Sequence, residues 1–423
     1  MFSPRTAPLG AVCLWLIAGA FAPTANAQQN ADSATPALRD VVRRLWNENP
    51  QVQAADAERR AAQARARAAG QPVYNPTLTF EGENADVDRR TAGASIALDL
   101  SGKRRARVAE GDAAVRATEA RYAIERRDVA AQWLKAWSAS LLAVRQSALG
   151  RQRLGLMQRF DELAAQRLAV GDISTSERDL AALALGEAQI QQASLAGQEA
   201  AALATLAAAG ADAIGQPPAL PERLPPEPGT VIPLATDERP EGIEARAEQE
   251  RAEAGITVAR RARVPDPTLS LTGGHVRDGA RSDRVIGVSV SIPLPVLNTG
   301  RAEIVAAQAD ADVANAKRRS VMLRSDAGLQ QQRATYSALL TAATAFRGSR
   351  AGALDERAAL LERLWQAGEI GTSDYLVQLK QSLDTALSGL ALENQTWQAW
   401  FDYLAAAGRL NDWIDGAPLD IAR

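Results

Sequence analysis

The pattern of apolar and polar residues divides the chain into very long helical stretches and a few short strands. The segments 103–170 and 301–367 contain no proline and are rich in Ala, Arg, Glu and Gln, which predicts two long helices. At 1.5 Å per residue, about 65 residues reach on the order of 100 Å. Gly171 and Gly368 follow these stretches and predict turns, after which a second helix returns antiparallel to the first.

Period-two alternation before each long helix predicts strands. The clearest case is 285–292, where Ile286, Val288, Val290 and Ile292 alternate with small or polar residues. Polar segments separate the strands of each pair and predict loops at 84–93 and 275–284. The four strands predicted in this way are 77–83, 94–100, 268–274 and 285–292.

A duplication organises the whole chain. Asn75-Pro-Thr-Leu recurs as Asp266-Pro-Thr-Leu, and several later motifs recur in the same order at a nearly constant offset. Each copy is a strand hairpin followed by a helical hairpin, at 103–210 in the first and 301–408 in the second. The predicted organisation is a first repeat at 28–210, a proline-rich interdomain segment at 211–239, a second repeat at 240–408 and a C-terminal tail at 409–423.

The first 27 residues are typical of a secretory signal. Arg5 is their only charge, an apolar run extends from Leu9 to Phe21, and Ala25-Asn26-Ala27 forms a small-x-small cleavage pattern. We therefore expect residues 1–27 to be removed on export. The single cysteine, Cys13, lies inside this segment, so the mature chain is expected to contain neither a disulfide nor a thiolate metal site.

Composition and motifs argue against other classes of protein. The formal net charge is −2, and Arg alternates with Glu and Asp, which leaves no basic footprint for nucleic acid. No nucleophile–base pair or phosphate-binding loop is found, so no enzymatic activity and no cofactor are predicted. The only histidine, His275, falls in a predicted loop, so no imidazole metal site is expected. Tryptophans at helical spacing, such as Trp133 and Trp397, are predicted to pack in the core or between subunits.

Four strands with exposed apolar faces cannot close a barrel within one chain. Unpaired strand edges cannot lie in hydrocarbon, because each unsatisfied backbone group costs several kcal/mol. Three chains would supply twelve strands, an even number within the range of bacterial outer-membrane barrels. The predicted fold class is therefore mainly α with a small β part, in which a duplicated unit of β-hairpin and long antiparallel helical hairpin forms a homotrimer.

Over the whole mature chain the sequence resembles the TolC-type outer-membrane efflux channels. The resemblance rests on the duplication and on the helix-turn signatures Arg167-Leu168-Ala-Val-Gly171 and Arg363-Leu364-Trp-Gln-Ala-Gly368. Through 75–84, 102–107 and Ile292-Pro-Leu-Pro295 it is most similar to the CzcC-like branch that serves heavy-metal exporters.

The resemblance implies a trimeric β-barrel in the outer membrane and an α-helical barrel that extends through the periplasm. It also implies a passive conduit that works with a periplasmic adaptor and an inner-membrane RND transporter, with heavy-metal cations as the expected cargo. Export of drugs or organic compounds is the alternative. A periplasmic coiled-coil adaptor or scaffold is an alternative of another class, which would not need two strand hairpins.

Two groups of candidate site residues follow from this resemblance. The helix-helix turns are the expected adaptor-docking tips, and Asp374, with Glu177 as its weaker first-repeat equivalent, is the expected acidic constriction of the periplasmic aperture. The simpler readings are that glycine only ends a helix and that an acidic residue only favours the helix N-terminus. The tip residues are Gly171, Asp172, Ile173, Gly368, Glu369 and Ile370.

Overall fold

The structure is a computed structural model that describes residues 33–84, 86–210, 218–349 and 354–420. The predicted signal at 1–27 and the start of the interdomain segment lie outside the described residues. Two helices open the described chain, α1 at Pro36–Glu48 and α2 at Pro50–Ala69. Asn49 separates them, because its extended backbone leaves the helix and its side-chain oxygen accepts hydrogen bonds from the N–H groups of Gln51 and Val52.

The four strands form one antiparallel sheet in the order β1-β2-β3-β4. They are β1 at Thr77–Glu83, β2 at Val87–Ala97, β3 at Thr268–Asp278 and β4 at Arg281–Ser291. The Thr77↔Ser95 pair of the first hairpin corresponds to the Thr268↔Ser291 pair of the second. The central pairing of β2 with β3 joins the two repeats.

Three strands differ from their predicted ranges. β2 begins at Val87 and ends at Ala97 where 94–100 was predicted, β3 continues to Asp278 beyond the predicted 274, and β4 covers 281–291 where 285–292 was predicted. The polar segments 84–93 and 275–284, predicted as loops, are therefore mostly strand. Ladder pairing with neighbouring strands outweighs the weak strand propensity of these residues, as when His275 pairs with both Arg90 and Arg284.

The long helices of the two repeats differ in continuity. In the first repeat α3 runs unbroken over Lys103–Ala169, and α4 returns over Thr175–Ala208. In the second, the predicted single helix is divided into α6 at Arg301–Gly348 and α7 at Leu354–Gln366, and α8 returns over Thr372–Ala406. Ser349 is extended and its hydroxyl donates to the Phe346 carbonyl, which competes with continued helix.

An aromatic belt at the middle of α3 and the C-terminal end of α8 forms the main core. Trp133, Trp137, Trp397, Trp400 and Tyr403 are all fully buried there, as predicted from their helical spacing. α5 at Pro240–Ala262 and the short α9 at Leu410–Asp415 complete the set of helices in the described ranges.

The proline-rich segment is bound to this belt through its carbonyl groups. Trp137 Nε1 donates to Pro218 O at 2.9 Å, Tyr403 Oη to Pro228 O at 3.1 Å and Arg409 Nε to Ile232 O at 2.8 Å. A chain without regular secondary structure thus has its polar groups satisfied by buried side chains. No helix among the described residues is long and apolar enough to cross a membrane.

Candidate docking tips and channel surfaces

The two helix-helix turns have the same backbone geometry. At the first tip, Gly171 N donates to Leu168 O and Asp172 N donates to Arg167 O at 2.9 Å. At the second, Gly368 N donates to Trp365 O and Glu369 N to Leu364 O at 2.9 Å. Both are Schellman motifs, in which a left-handed glycine satisfies the last carbonyl groups of the helix.

The two tips lie side by side and share an aromatic cluster. Phe160 of α3 contacts Trp365 and Tyr375 of the second repeat, with ring centroids 4.6 and 4.9 Å apart. The Arg167 guanidinium lies 4.5 Å from the centre of the Trp365 ring, and its Nη2 donates to Gln366 O at 3.1 Å. Burial raises the pKa of Tyr375 to about 12. The predicted tip residues of both repeats are therefore brought together.

Within the tips, the isoleucines and the acidic residues have different environments. Ile173 and Ile370 are partly buried against the aromatic cluster, whereas Asp172 and Glu369 are exposed. The two isoleucines therefore hold the turns onto the helices, and the two acidic side chains point to solvent at the ends of the turns.

The two candidate aperture residues differ in their contacts. Glu177 belongs to a capping box with Ser174, and hydrogen bonds from the backbone and hydroxyl of Ser174 lower its pKa. Asp374 is exposed in the first turn of α8, whose N-cap is Gly371 and has no side-chain cap. Glu177 thus has a local structural role, while Asp374 is free to face solvent.

Polar links between the repeats, which were not predicted from the sequence, lie beyond the tips. Arg153 of α3 is buried, and its Nη1 lies 3.1 Å from Asp384 Oδ1 of α8 and also contacts Gln191 of α4. Lys380 of α8 pairs with Glu187 of α4. Partners so distant in sequence leave no local signal, so only the packing of α3, α4 and α8 reveals them.

The sheet has one apolar and one polar face. The apolar face presents Leu78, Phe80, Ile96, Leu271 and Val288, and Phe80 and Val288 are 81% and 70% exposed. A soluble monomer rarely exposes a patch of this kind. The opposite, polar face carries small or hydroxyl-bearing residues along the half of the sheet nearest the helices, and these are Thr77, Thr79, Thr91, Gly93, Ser95, Thr268, Ser270, Thr272, Ser289 and Ser291.

Close contacts show that the sheet curves toward its polar face. A Cβ added to Gly93 would lie 2.8 Å from Thr272 Cγ2 and 2.9 Å from Thr79 Oγ1. In β2, Thr91, Gly93 and Ser95 on the polar face are half-buried, whereas Ala92, Ala94 and Ile96 on the apolar face are exposed. The apolar face is therefore convex, and both edges of the sheet, β1 and β4, have no partner strand among the described residues.

A buried ion pair joins the sheet to the helices. Lys103 Nζ donates to Asp266 Oδ2 at 2.7 Å, and Tyr74 Oη donates to the same oxygen at 2.6 Å. The side chain of Asp266 is 3% exposed and that of Lys103 is 17% exposed. The pair connects the start of α3 in the first repeat to the start of β3 in the second.

The described residues contain no group of three or more His, Cys, Asp or Glu side chains arranged to hold a metal ion. His275 lies on β3 and not in the predicted loop.

Known proteins are similar to parts of this sequence. The sequence model described as "Outer membrane efflux protein" matches residues 41–211, which lie within the first repeat. The cobalt-zinc-cadmium resistance protein CzcC of Cupriavidus metallidurans is 29% identical over 251 residues, covering 57% of this chain and 59% of that protein. The match therefore spans about three fifths of the length of that relative.

Solved structures share the fold over most of the chain. The Campylobacter jejuni CmeC outer membrane channel has a TM-score of 0.73 at 15% identity and covers 96% of this chain and 94% of its own. A membrane protein from Pseudomonas aeruginosa has a TM-score of 0.73 at 21% identity and covers 89% of this chain and 94% of its own. CusC has a TM-score of 0.69 at 15% identity and covers 89% of this chain and 93% of its own. By its sequence match over the first repeat, this chain is similar to outer membrane efflux proteins, and over most of its length it shares the fold of outer membrane channels.

Proposed function

We propose that this protein is the outer-membrane channel of a tripartite RND-type efflux system, a passive homotrimeric conduit that carries heavy-metal cations out of the periplasm. The observation that carries this proposal is the sheet with an exposed apolar convex face, a polar concave face and two unpaired edges. This arrangement suits lipid outside and water inside, and it is the reverse of a soluble sheet that hides its apolar face.

The trimer follows from the edges and the duplication. Within one chain Ser95 of β2 lies opposite Ser270 of β3. Their equivalents in the other repeat are Ser291 and Thr79, so Ser291 of one copy is expected opposite Thr79 of the next. This register also places Val290 beside Phe80 on the apolar face, whereas a shift of one residue would place apolar side chains on the polar face.

Cysteine pairs test the trimer and its register. Ser291→Cys with Thr79→Cys should form disulfide-linked oligomers on oxidation, since facing residues of paired strands fall within disulfide reach. Ser291→Cys with Leu78→Cys places the thiols on opposite faces and is the matched control. A detergent-extracted, heat-sensitive trimer that is crosslinked only by the first pair supports the proposal; a periplasmic protein that is monomeric without detergent contradicts it and supports the scaffold alternative.

We propose that the two tips dock a periplasmic adaptor. Their paired Schellman turns would present six similar contacts in a trimer, with exposed acidic residues at each. Asp172→Lys with Glu369→Lys should abolish co-purification with the adaptor, while Glu356→Lys, an exposed reversal elsewhere in α7, should not. If the double variant still co-purifies with the adaptor, docking at the tips is contradicted.

Asp374 is proposed to form a threefold carboxylate ring that constricts the aperture and favours cations. Asp374→Ala in a planar bilayer should reduce cation selectivity, and Glu177→Ala should change it little because Glu177 is engaged with Ser174. If the two substitutions changed cation selectivity equally, the proposal that Asp374 alone constricts the aperture would be contradicted.

The metal cargo rests on the CzcC relative, whose name refers to cobalt, zinc and cadmium. A deletion strain should lose tolerance to these ions more than to a panel of drugs. Unchanged metal tolerance together with drug hypersensitivity would favour export of organic compounds.

A further inference from the structure

A basic row crosses the sheet at the end far from the helices. Arg90 of β2 pairs with His275 of β3, which in turn pairs with Arg284 of β4. Paired residues share a face, and alternate residues return to it, so the row lies on the same face as Ala92, Leu271 and Val288. All three basic side chains are exposed.

The row marks one border of the apolar face. The next row toward the helices is Ala92, Gly273 and Ile286, and the following rows remain apolar as far as Ile96, Leu269 and Val290. Leu98 and Leu100 continue the exposed apolar surface toward the helix end. The seven residue steps from Arg90 to Ala97, where β2 ends, rise about 24 Å along the strand, or about 18 Å at a tilt near 40°. Leu98 and Leu100 extend this surface toward the roughly 25 Å apolar band of such barrels.

The row lacks an internal counter-charge. Within the described residues, neither arginine of the row makes an ion pair or side-chain hydrogen bond, whereas Arg281 on the polar face lies 3.5 Å from Asp283. Adjacent strands are about 4.8 Å apart, so the two arginines lie on one face about 10 Å from each other, and both attract an anion placed between them. An exposed row of this kind at the edge of an apolar surface is complementary to a layer of negative charge.

We propose that Arg90, His275 and Arg284 bind the phosphate groups of anionic lipid in the outer leaflet. The inference rests on the proposed membrane position of the sheet. Arginine stems can lie along the apolar surface while their guanidinium groups reach the headgroups, where they bind phosphate through paired hydrogen bonds. Three copies of the row would form a basic ring around the channel.

The test compares two charge-matched double variants in the same strands. Full-length trimer is reconstituted with a mixture of diphosphorylated lipid A and phosphatidylcholine, and the ratio of the two lipids that stay with the purified protein is measured by mass spectrometry. Arg90→Gln with Arg284→Gln should lower the lipid A preference at least about fivefold. Arg89→Gln with Arg281→Gln removes the same charge from the polar face of β2 and β4 and should leave the preference unchanged.

An equal loss of lipid A preference in both double variants, or no loss in either, would overturn the inference about the basic row. Insertion of the trimer into the lipid would still support the channel proposal. If the wild-type chain does not insert at all, the channel proposal fails as well. A heat-sensitive trimer band is the check of folding, and if the first double variant lacks it, Arg284→Gln alone, on an edge strand, decides the same question.

Discussion

The two repeats share a backbone plan, yet their tips are stabilised by different means. At the first tip, Ser174 and Glu177 satisfy each other's backbone groups in a capping box. At the second, Gly371 offers no side-chain cap, and Trp365 packs against Phe160 and Tyr375 while its Nε1 donates to Thr372 at 3.3 Å. Duplication preserved the turn, and the side chains around each copy diverged.

The junctions with the sheet differ in the same way. Asp266 and Lys103 form a buried pair between the repeats, whereas the equivalents of these residues, Asn75 and Arg301, cannot form an ion pair. In the proposed trimer these two would face each other across the boundary between copies. The inner junction thus contains an ion pair and the outer junction does not, a difference that substitutions can test.

The largest effect is expected at the second tip. Trp365→Ala removes a buried ring from the aromatic cluster and should destabilise the ends of α7 and α8 by about 3–5 kcal/mol. Its first-repeat equivalent, Leu168, is half-buried, and Leu168→Ala should cost only about 1–2 kcal/mol. Hydrogen exchange at the helix ends measures both, and Trp365→Phe should retain most of the stability. Equal losses would show that the two tips are stabilised alike.

The next effect concerns the inner junction. Asp266→Asn leaves Lys103 without its counter-charge and should cost about 3 kcal/mol, at the low end for a buried pair because Lys103 is partly exposed. Lys103→Met combined with Asp266→Asn should recover much of that loss. Thermal unfolding of the trimer provides the measurement, and a double variant no better than the single one would assign the cost to Asp266 itself.

A smaller and symmetric effect is expected at the turn glycines. Gly171 and Gly368 have φ of +82° and +76°, with no atom near the position of an added Cβ. Alanine at either position should therefore cost about 1–2 kcal/mol from backbone strain alone, and asparagine less. Local hydrogen exchange should give the same value for both tips; a clear inequality would show that the turns are not equivalent.

The smallest effect is expected at the cap of the first tip. Ser174→Ala should destabilise α4 by about 1 kcal/mol. Because its hydrogen bonds lower the folded pKa of Glu177 below the ordinary 4.5, the contribution of Glu177 is present above that pH and is lost as the pH falls through the lowered value. Exchange near Ser174 measured against pH should show this loss in the wild type and not in Ser174→Ala. The second tip, which lacks such a cap, serves as the internal control.

Much of the fold could be predicted from the sequence because it depends on the local periodicity of apolar and polar residues. The uninterrupted helix at 103–169, the glycine turns and the pairing of strands into two hairpins follow from residue spacing and from the duplication. The break at Ser349 and the strand extension through His275 did not follow, because each depends on a local competition that pattern alone leaves undecided.

The sequence by itself determined the repeated unit, the type of each element and the family resemblance, since these depend on neighbours a few residues apart. Only the tertiary structure decided which polar groups meet. Arg153 with Asp384, Lys103 with Asp266 and the basic row across three strands join residues from both repeats. Pairing energies of this kind arise from positions that chain packing brings together, and no spacing along the chain encodes them.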